Sequence, residues 1–190
     1  AEVIVVEKMP AIGGNTIRAA GAFNCADPER QSKQGIEDSP EKHMQQTLEG
    51  GDNVADPELV RTLTFNALDS LHWLESHGMK FQDKISQTAG SLWPRSHAPV
   101  EAGGYIKTLK AACDKLDIKI LVDTKATELV TNDEGRVVGV KCEDKDKKAV
   151  EFKAKKAVIM ATGGFGANIE MCMKYDSKLS KDVKTTNHPG

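Results

Sequence analysis

Aromatic side chains are scarce. Two Trp, two Tyr and five Phe make up 5% of the 190 residues, too few for a stacking platform that would hold single-stranded nucleic acid. An excess of one charge is also lacking. Lysine and arginine (26) nearly balance aspartate and glutamate (28), leaving a net charge of −2, which excludes a general polyanion binder. No apolar run is long enough to cross a bilayer, so no membrane span is expected. Cysteine is sparse and scattered. Cys25, Cys113, Cys142 and Cys172 form no C-x-x-C and no C-x-x-C-H. That excludes a zinc ribbon, a dithiol centre and c-type haem attachment in this stretch, and no metal site is expected. Free, partly buried thiols remain, and they identify no compartment. The first residues read as strand, so no secretory leader is expected.

What the chain does have is a β-branched run that stops at an acid and a glycine pair. Val3–Val6 reads as a buried parallel strand ending at Glu7. Gly13–Asn24 is small and glycine-rich, suited to lie close against a ligand. Residues 26–38 read as loop. Ser39-Pro40-Glu41 and Asp56-Pro57-Glu58 each supply an N-cap, a first-turn proline and a first-turn acid. The first predicts a helix running to Gly50-Gly51. The second predicts a helix stopped by Gly78, with Leu59, Leu63, Ala67, Leu71 and Leu74 as its apolar stripe. Residues 80–102 read as loop or short strands, and Gly104–Leu116 as a third helix with Ile106, Leu109, Ala112, Cys113 and Leu116 on one side. From Ile118 the period changes. "IKILVDT" reads as a strand, followed by a hairpin turning at Asn132–Gly135, a polar-faced strand, and a buried strand at Ala157–Ala161. Residues 166–190 read as irregular with a short helix. A helical insertion (about 39–117) and a β-rich return (118–165) around a parallel core place the chain in the α/β class.

Three features could carry chemistry. Glu7, at the tip of a strand, is of the type that accepts ribose hydroxyls of an adenine dinucleotide, or it ends a strand and no more. Gly13-Gly14-Asn15-Thr16 could bring backbone against a pyrophosphate, or form a capped turn. Ala161-Thr162-Gly163-Gly164 leaves a small-residue turn that a phosphate or ribityl chain could pass, or is an ordinary turn after a strand. His43, His77 and His97 show no paired acid or base in the sequence, and His72 lies beside the stripe of the long helix.

In this order the three features are far more specific than any one alone. "VVEKMPAIGGNTIRAAGAFN", "DSPEKHMQQTLEGGDNVADPELVRTL" and "AVIMATGGFGAN" resemble the flavin domain of the flavocytochrome c-type fumarate reductases and their urocanate- and methacrylate-reducing relatives. "TTNHPG" is similar to the segment just before that family's G-D-G flavin contact. The resemblance covers essentially the whole chain. It implies an FAD-binding Rossmann-like domain of the fumarate reductase/succinate dehydrogenase flavoprotein type. In that family a first strand and a G-x-G-x-x-G loop come earlier, and a substrate-capping domain comes later. Residues 1–190 are therefore expected to be a partial FAD-binding domain, truncated at both ends.

The resemblance also implies roles. Glu7 would hold the adenosine ribose, with Lys8 beside it. Gly13, Gly14, Asn15 and Thr16 would follow the pyrophosphate and ribityl chain. Ala20 and Gly21 would set backbone against the isoalloxazine edge, and the Ala126 backbone would read the adenine edge. Thr162, Gly163 and Gly164 would line the dinucleotide's path. No catalytic residue carries over, because the family's arginine proton donor and its substrate-gripping histidines and arginine belong to segments after Gly190. His188 reads as solvent-exposed. "RSHAPVEAGG" (Arg95–Gly104) is similar to the R-S-H-T…GG of succinate dehydrogenase flavoproteins, whose histidine bonds covalently to flavin. Aligned on "GGNTIRAAG", however, that histidine's place is taken by Asn15. His97 is therefore not expected to attach flavin, and FAD is expected to be non-covalent.

The activity implied is FAD-dependent reduction of the C=C bond of a fumarate-like unsaturated carboxylate by hydride transfer from flavin. A haem or flavin electron donor would feed it, in the periplasm or cytoplasm of an anaerobically respiring bacterium. The 190 residues alone are expected to hold FAD poorly and to be inactive. The alternatives are a ketosteroid dehydrogenase or L-aspartate oxidase on the same flavin fold, which "AAGAFN" argues mildly against, and a flavin-free structural or interaction domain.

Overall fold

The computed structural model describes residues 1–19 and 21–188. The chain forms two compact units, one of Ala1–Arg18 with Cys113–Gly190, the other of Ala19–Ala112.

In the first unit, β1 (Ile4–Val6) pairs in parallel with β5 (Lys119–Leu121), Val5 opposite Ile120. The ladder continues past the strand end: Glu7 N donates to Leu121 O at 2.9 Å, and Thr124 N returns to Glu7 O at 2.9 Å. A separate antiparallel meander follows, β6 (Lys125–Thr131), β7 (Val137–Glu143) and β8 (Ala149–Lys153), in the order β6-β7-β8. Its first turn is made by Asn132, whose side-chain oxygen accepts from the Glu134 and Arg136 amides. Gly135 takes a φ of 77° there, a conformation glycine adopts without steric cost. The short helix of the tail is Ile169–Tyr175, capped by Asn168.

Two runs expected to be buried strands are not. Val3, Ile4 and Val5 are 39–46% exposed: β1 is parallel, but β5 is its one partner among the described strands. Residues 157–161 form no strand, and Ile159 and Met160 are exposed. A β-branched run becomes a buried strand only when neighbours supply a ladder and cover its faces.

In the second unit the capping devices work as read. Ser39 Oγ accepts from the Lys42 amide to start α2 (Pro40–Gly50), and Asp56 accepts from the Glu58 and Leu59 amides to start α3 (Pro57–Ser76). A third copy of the device lies in the stretch expected to be loop. Asp27-Pro28-Glu29 starts a short helix, Pro28–Ser32, with the Asp27 side chain accepting from Arg30 N. With Phe23–Asn24 as β2, Phe81–Ser86 as β3 and Ser96–Pro99 as β4, the sheet order is β2-β4-β3. The later helix is Gly104–Lys115.

The buried face of α3 is Val60, Thr64, Ala67, Leu71 and Leu74: the last three are as expected, while in the first turns Val60 and Thr64 take the places expected of Leu59 and Leu63. Leu59 and Leu63 are exposed. Leu71 is fully buried and packs with Cys25 and Ala67, with Phe23, Leu68 and Phe81 around them. Burial of such a leucine is worth about 1.5–3 kcal/mol. The Gly104–Lys115 helix differs likewise: it buries Gly104 and Thr108, while Leu109 is partly exposed and Leu116, just beyond its end, is largely exposed.

Polar groups hold the rest together. The Arg95 guanidinium meets the Asp38 carboxylate with two bonds, Nε to Oδ2 at 2.9 Å and Nη2 to Oδ1 at 2.8 Å, and both side chains are buried. Gln46 Oε1 accepts a further bond from Arg95, and Gln31 donates both to Asp38 and to the Pro94 carbonyl. This network ties residues 31–46 to β4. Burial pushes the neighbouring His43 imidazole below its ordinary range, and the Arg95 charge adds to the push. Removing one member of a buried, bidentate pair leaves a bare charge in the core. Asp38→Ala should therefore lower stability by about 3–5 kcal/mol in urea unfolding; a loss below about 1 kcal/mol would place the pair in solvent instead.

Candidate functional site

The candidate residues of the first unit fall into two groups. The first surrounds Glu7, which leaves the end of β1 half-buried. Its Oε1 accepts from the Met9 amide at 2.8 Å, which fixes the carboxylate over the strand tip. Lys8 follows, half-buried and engaged. The bonds Thr124 N to Glu7 O and Asp123 N to Met9 O lead the chain from beside Glu7 directly into β6. Ala126 is the second residue of β6, and the pairing with β7 slips between Ala126 and Glu128. The bulge leaves Thr127 out of the ladder, next to Ala126, which stays opposite Cys142.

The second group is the glycine turn. Gly13 and Gly14 have φ of 128° and 46°, and both are left-handed conformations that side chains resist. The turn closes with Ile17 N to Gly13 O and Arg18 N to Asn15 O. Asn15 does not point its side-chain oxygen outward. It accepts from the His188 amide at 2.6 Å, while Arg18 Nη1 donates to the Thr186 carbonyl at 2.9 Å. Between those two, the Asn187 amide lies against the α-carbon of Gly166, where a Cβ would collide with it. The residue 186–188 segment thus clasps both the 13–16 turn and the run that begins at Thr162. His188 is half-buried rather than exposed, and its backbone, not its ring, is the part employed. Nothing local in the sequence marks Arg18 for this, since its bond and that of Asn15 join residues 168 and 173 positions apart.

Thr162, Gly163 and Gly164 lie in an exposed, irregular segment, with Gly163 at φ 69°. A Cβ built on Gly14, Gly163 or Gly164 would meet no atom within 4 Å. At these positions the absence of a side chain leaves open space beside bare backbone, which fits the close approach of an extended phosphate-containing ligand. Gly21 belongs to the second unit; Ala20 lies outside the described residues.

His97 does have a partner, contrary to the expectation. It is fully buried, its Nε2 is 3.2 Å from Asp27 Oδ2, and its Nδ1 is 3.2 Å from the Phe23 carbonyl and 3.5 Å from Cys25 Sγ. The order Cys-His-Asp looks like a nucleophilic triad, but the chemistry is wrong for one. Burial, with the Asp27 charge adding to it, pushes the Cys25 thiol up to about 12, and it is the thiolate that attacks. Burial also pushes the Asp27 carboxyl up, yet bonds from the Arg30 amide and guanidinium and from His97 outweigh it and hold Asp27 below the ordinary carboxylate range. Arg30 carries the cluster on to Glu75 of α3. A charge-mixed cavity of about 610 Å³, lined by Asp27, Arg30, Lys33, His72, Asp83 and Lys84 among others, opens above this cluster and contains none of the candidate residues. Among the described residues no group of three or more His, Cys, Asp or Glu is placed to hold a metal ion, and no helix is long and apolar enough to cross a membrane.

The sequence matches the FAD binding domain family over residues 1–190. It is 41% identical over 195 residues to an NADH:fumarate oxidoreductase of Klebsiella pneumoniae (strain 342), covering 100% of this chain and 20% of that protein. It is 36% identical over 194 residues to a fumarate reductase (cytochrome) of Shewanella frigidimarina, covering 100% of this chain and 34% of the relative. The open conformation of a flavocytochrome c3 fumarate reductase superposes with a TM-score of 0.90 at 33% identity, over 98% of this chain and 33% of that one. The chain therefore spans a fifth to a third of the length of these relatives.

Thiol reactivity gives the buried cluster a direct readout. In native protein at mildly alkaline pH, alkylation followed by peptide mapping should label the half-buried Cys113 and Cys172 and spare Cys25 and Cys142. All four should react once the chain is unfolded. Labelling of native Cys25 as fast as Cys113 would mean that His97 and Asp27 do not enclose it.

Proposed function

The chain belongs to the FAD binding domain family, and from that premise we propose that it forms part of the flavin cradle of an oxidoreductase that reduces the C=C bond of a fumarate-like unsaturated carboxylate. Its fold is the α/β fold of the fumarate reductase flavoproteins, and the cofactor of the family is FAD. The observation that carries the residue-level reading is the clasp. The glycine turn at 13–16 with Arg18, and Gly166 of the 162–166 run, both meet the 186–188 segment, and Gly14, Gly163 and Gly164 each leave open space beside their backbone.

In this reading Glu7, oriented by the Met9 amide, accepts the ribose hydroxyls, with Lys8 beside it. Gly13, Gly14, Asn15 and Thr16 run backbone along the pyrophosphate and ribityl chain, with Thr162, Gly163 and Gly164 lining the same path. The Ala126 backbone reads the adenine edge. In the second unit, Gly21 supplies backbone to the isoalloxazine edge; Ala20, assigned the same role, lies outside the described residues. Bound FAD supplies the two-electron chemistry, hydride included. What this chain's residues do is bind and orient. These are backbone, amide and carboxylate groups, and we assign no catalytic acid among them. His97, enclosed on both nitrogens, supports a non-covalent flavin. The cytochrome name of one relative supports a haem electron donor, whereas the other relative's name gives NADH as its donor.

The test uses the intact protein. With reduced viologen as donor it should turn over fumarate, urocanate or a related enoate. Glu7→Gln, which removes a charge-assisted bond to the ribose, should weaken FAD binding by about 1.5–3 kcal/mol without unfolding the protein. Turnover on a steroid ketone or on aspartate instead of any enoate would remove the reductase assignment. An unchanged FAD dissociation constant in the variant would remove Glu7 from the cradle.

A further inference from the structure

Gly21 and the residues after it are held from behind by side chains of the same unit. Tyr105, in the first turn of the Gly104–Lys115 helix, donates its hydroxyl to the Gly21 carbonyl at 2.8 Å. Its ring lies against the Gly21 α-carbon: a Cβ there would sit 3.3 Å from Tyr105 Cε2 and 3.4 Å from Pro99 Cγ. Two residues on, the Phe23 carbonyl faces His97 Nδ1, and Asn24 Oδ1 accepts from Ser96 Oγ. The Tyr105 ring is itself fixed. It stands edge-on to Phe81 with centroids 6.3 Å apart, and Phe81 stands edge-on to Phe23 and His97. Gly21 has a φ of 77°. Glycine enters that region freely and leaves it as freely, so the direction of its carbonyl is set only if something holds it.

We infer that Tyr105 is a positioning residue whose hydroxyl, by holding the Gly21 carbonyl, fixes the backbone face that Gly21 presents to the isoalloxazine ring. This rests on the placement of Gly21 at the flavin proposed above. A phenol that faces a carbonyl oxygen contributes its proton, since the carbonyl has none to give. Burial, with Cys25 adding to it, pushes the Tyr105 phenol up from its ordinary value, so the group remains a donor across the neutral and mildly alkaline range. Phenylalanine at this position keeps the ring, its edge contact with Phe81 and the wall against Gly21, and removes the donor alone.

The experiment is Y105F in the intact, FAD-loaded protein, with E7Q run beside it. Y105F should shift the visible band of the bound flavin and its reduction midpoint, and should raise the FAD dissociation constant about 2- to 10-fold, the range of one net hydrogen bond. A purely structural tyrosine would lower the unfolding midpoint and leave flavin spectrum and reduction midpoint unmoved; that result overturns the inference. If E7Q weakens FAD while Y105F matches wild type in spectrum, midpoint and affinity, the inference falls and the cradle reading stands. If both variants bind FAD as wild type does, the cradle reading itself falls and the role of Tyr105 falls with it.

Discussion

Much of the 19–112 unit converges on a single carboxylate. Asp27 starts the Pro28–Ser32 helix through Oδ1, and through Oδ2 it meets both the Arg30 guanidinium and His97 of β4. Arg30 extends to Glu75 on α3, and His97 to the Phe23 carbonyl on β2. One side chain thereby connects two helices and two strands around the Cys25–Leu71 core. A group this buried is tolerated because its lone pairs are satisfied several times over; unpaired, it would cost far more than it contributes. The strand it secures, β2, follows directly from Gly21, so the same polar core that stabilises the unit also anchors the segment assigned to the flavin.

The first unit is organised by a different principle. Its apolar strand β1 and the 157–161 run are exposed, and its order comes from backbone capture instead. Glu7 is fixed by an amide, Thr124 returns to the Glu7 carbonyl, and Asn15 and Arg18 reach the 186–188 segment. A dinucleotide is bound mostly through such groups, since glycine-rich backbone can approach a pyrophosphate where side chains cannot. The Glu7 carboxylate and the glycine turns are of the kind suited to holding and orienting a cofactor.

The legibility of this in the sequence was uneven, for physical reasons. Local rules were reliable. Ser39-Pro40-Glu41 and Asp56-Pro57-Glu58 start helices because cap, proline and acid act within one turn. The same device at Asp27 is hard to read because the helix it starts is five residues long and carries no apolar period. On α3 the leucines drew the stripe toward Leu59 and Leu63, whereas the buried face includes Thr64, which no hydrophobic count selects. Burial of Val3–Val6 and of 157–161 is a property of neighbours, not of the run itself. The clasp from Asn15 to His188 and the pairing of His97 with Asp27 join residues 173 and 70 positions apart, and no spacing rule reaches that far. The glycines and the acid proposed for the cradle stand out in the sequence as candidates; the contacts that hold them in place do not.

Hydrogen exchange on the intact protein, with and without FAD, tests the cradle most directly. If all three line one ligand path, amides in residues 9–18, 162–166 and 186–188 should exchange more slowly in the FAD-loaded form, all three segments together. If FAD slows exchange elsewhere and leaves these three segments at their apoprotein rates, the clasp is not the flavin cradle.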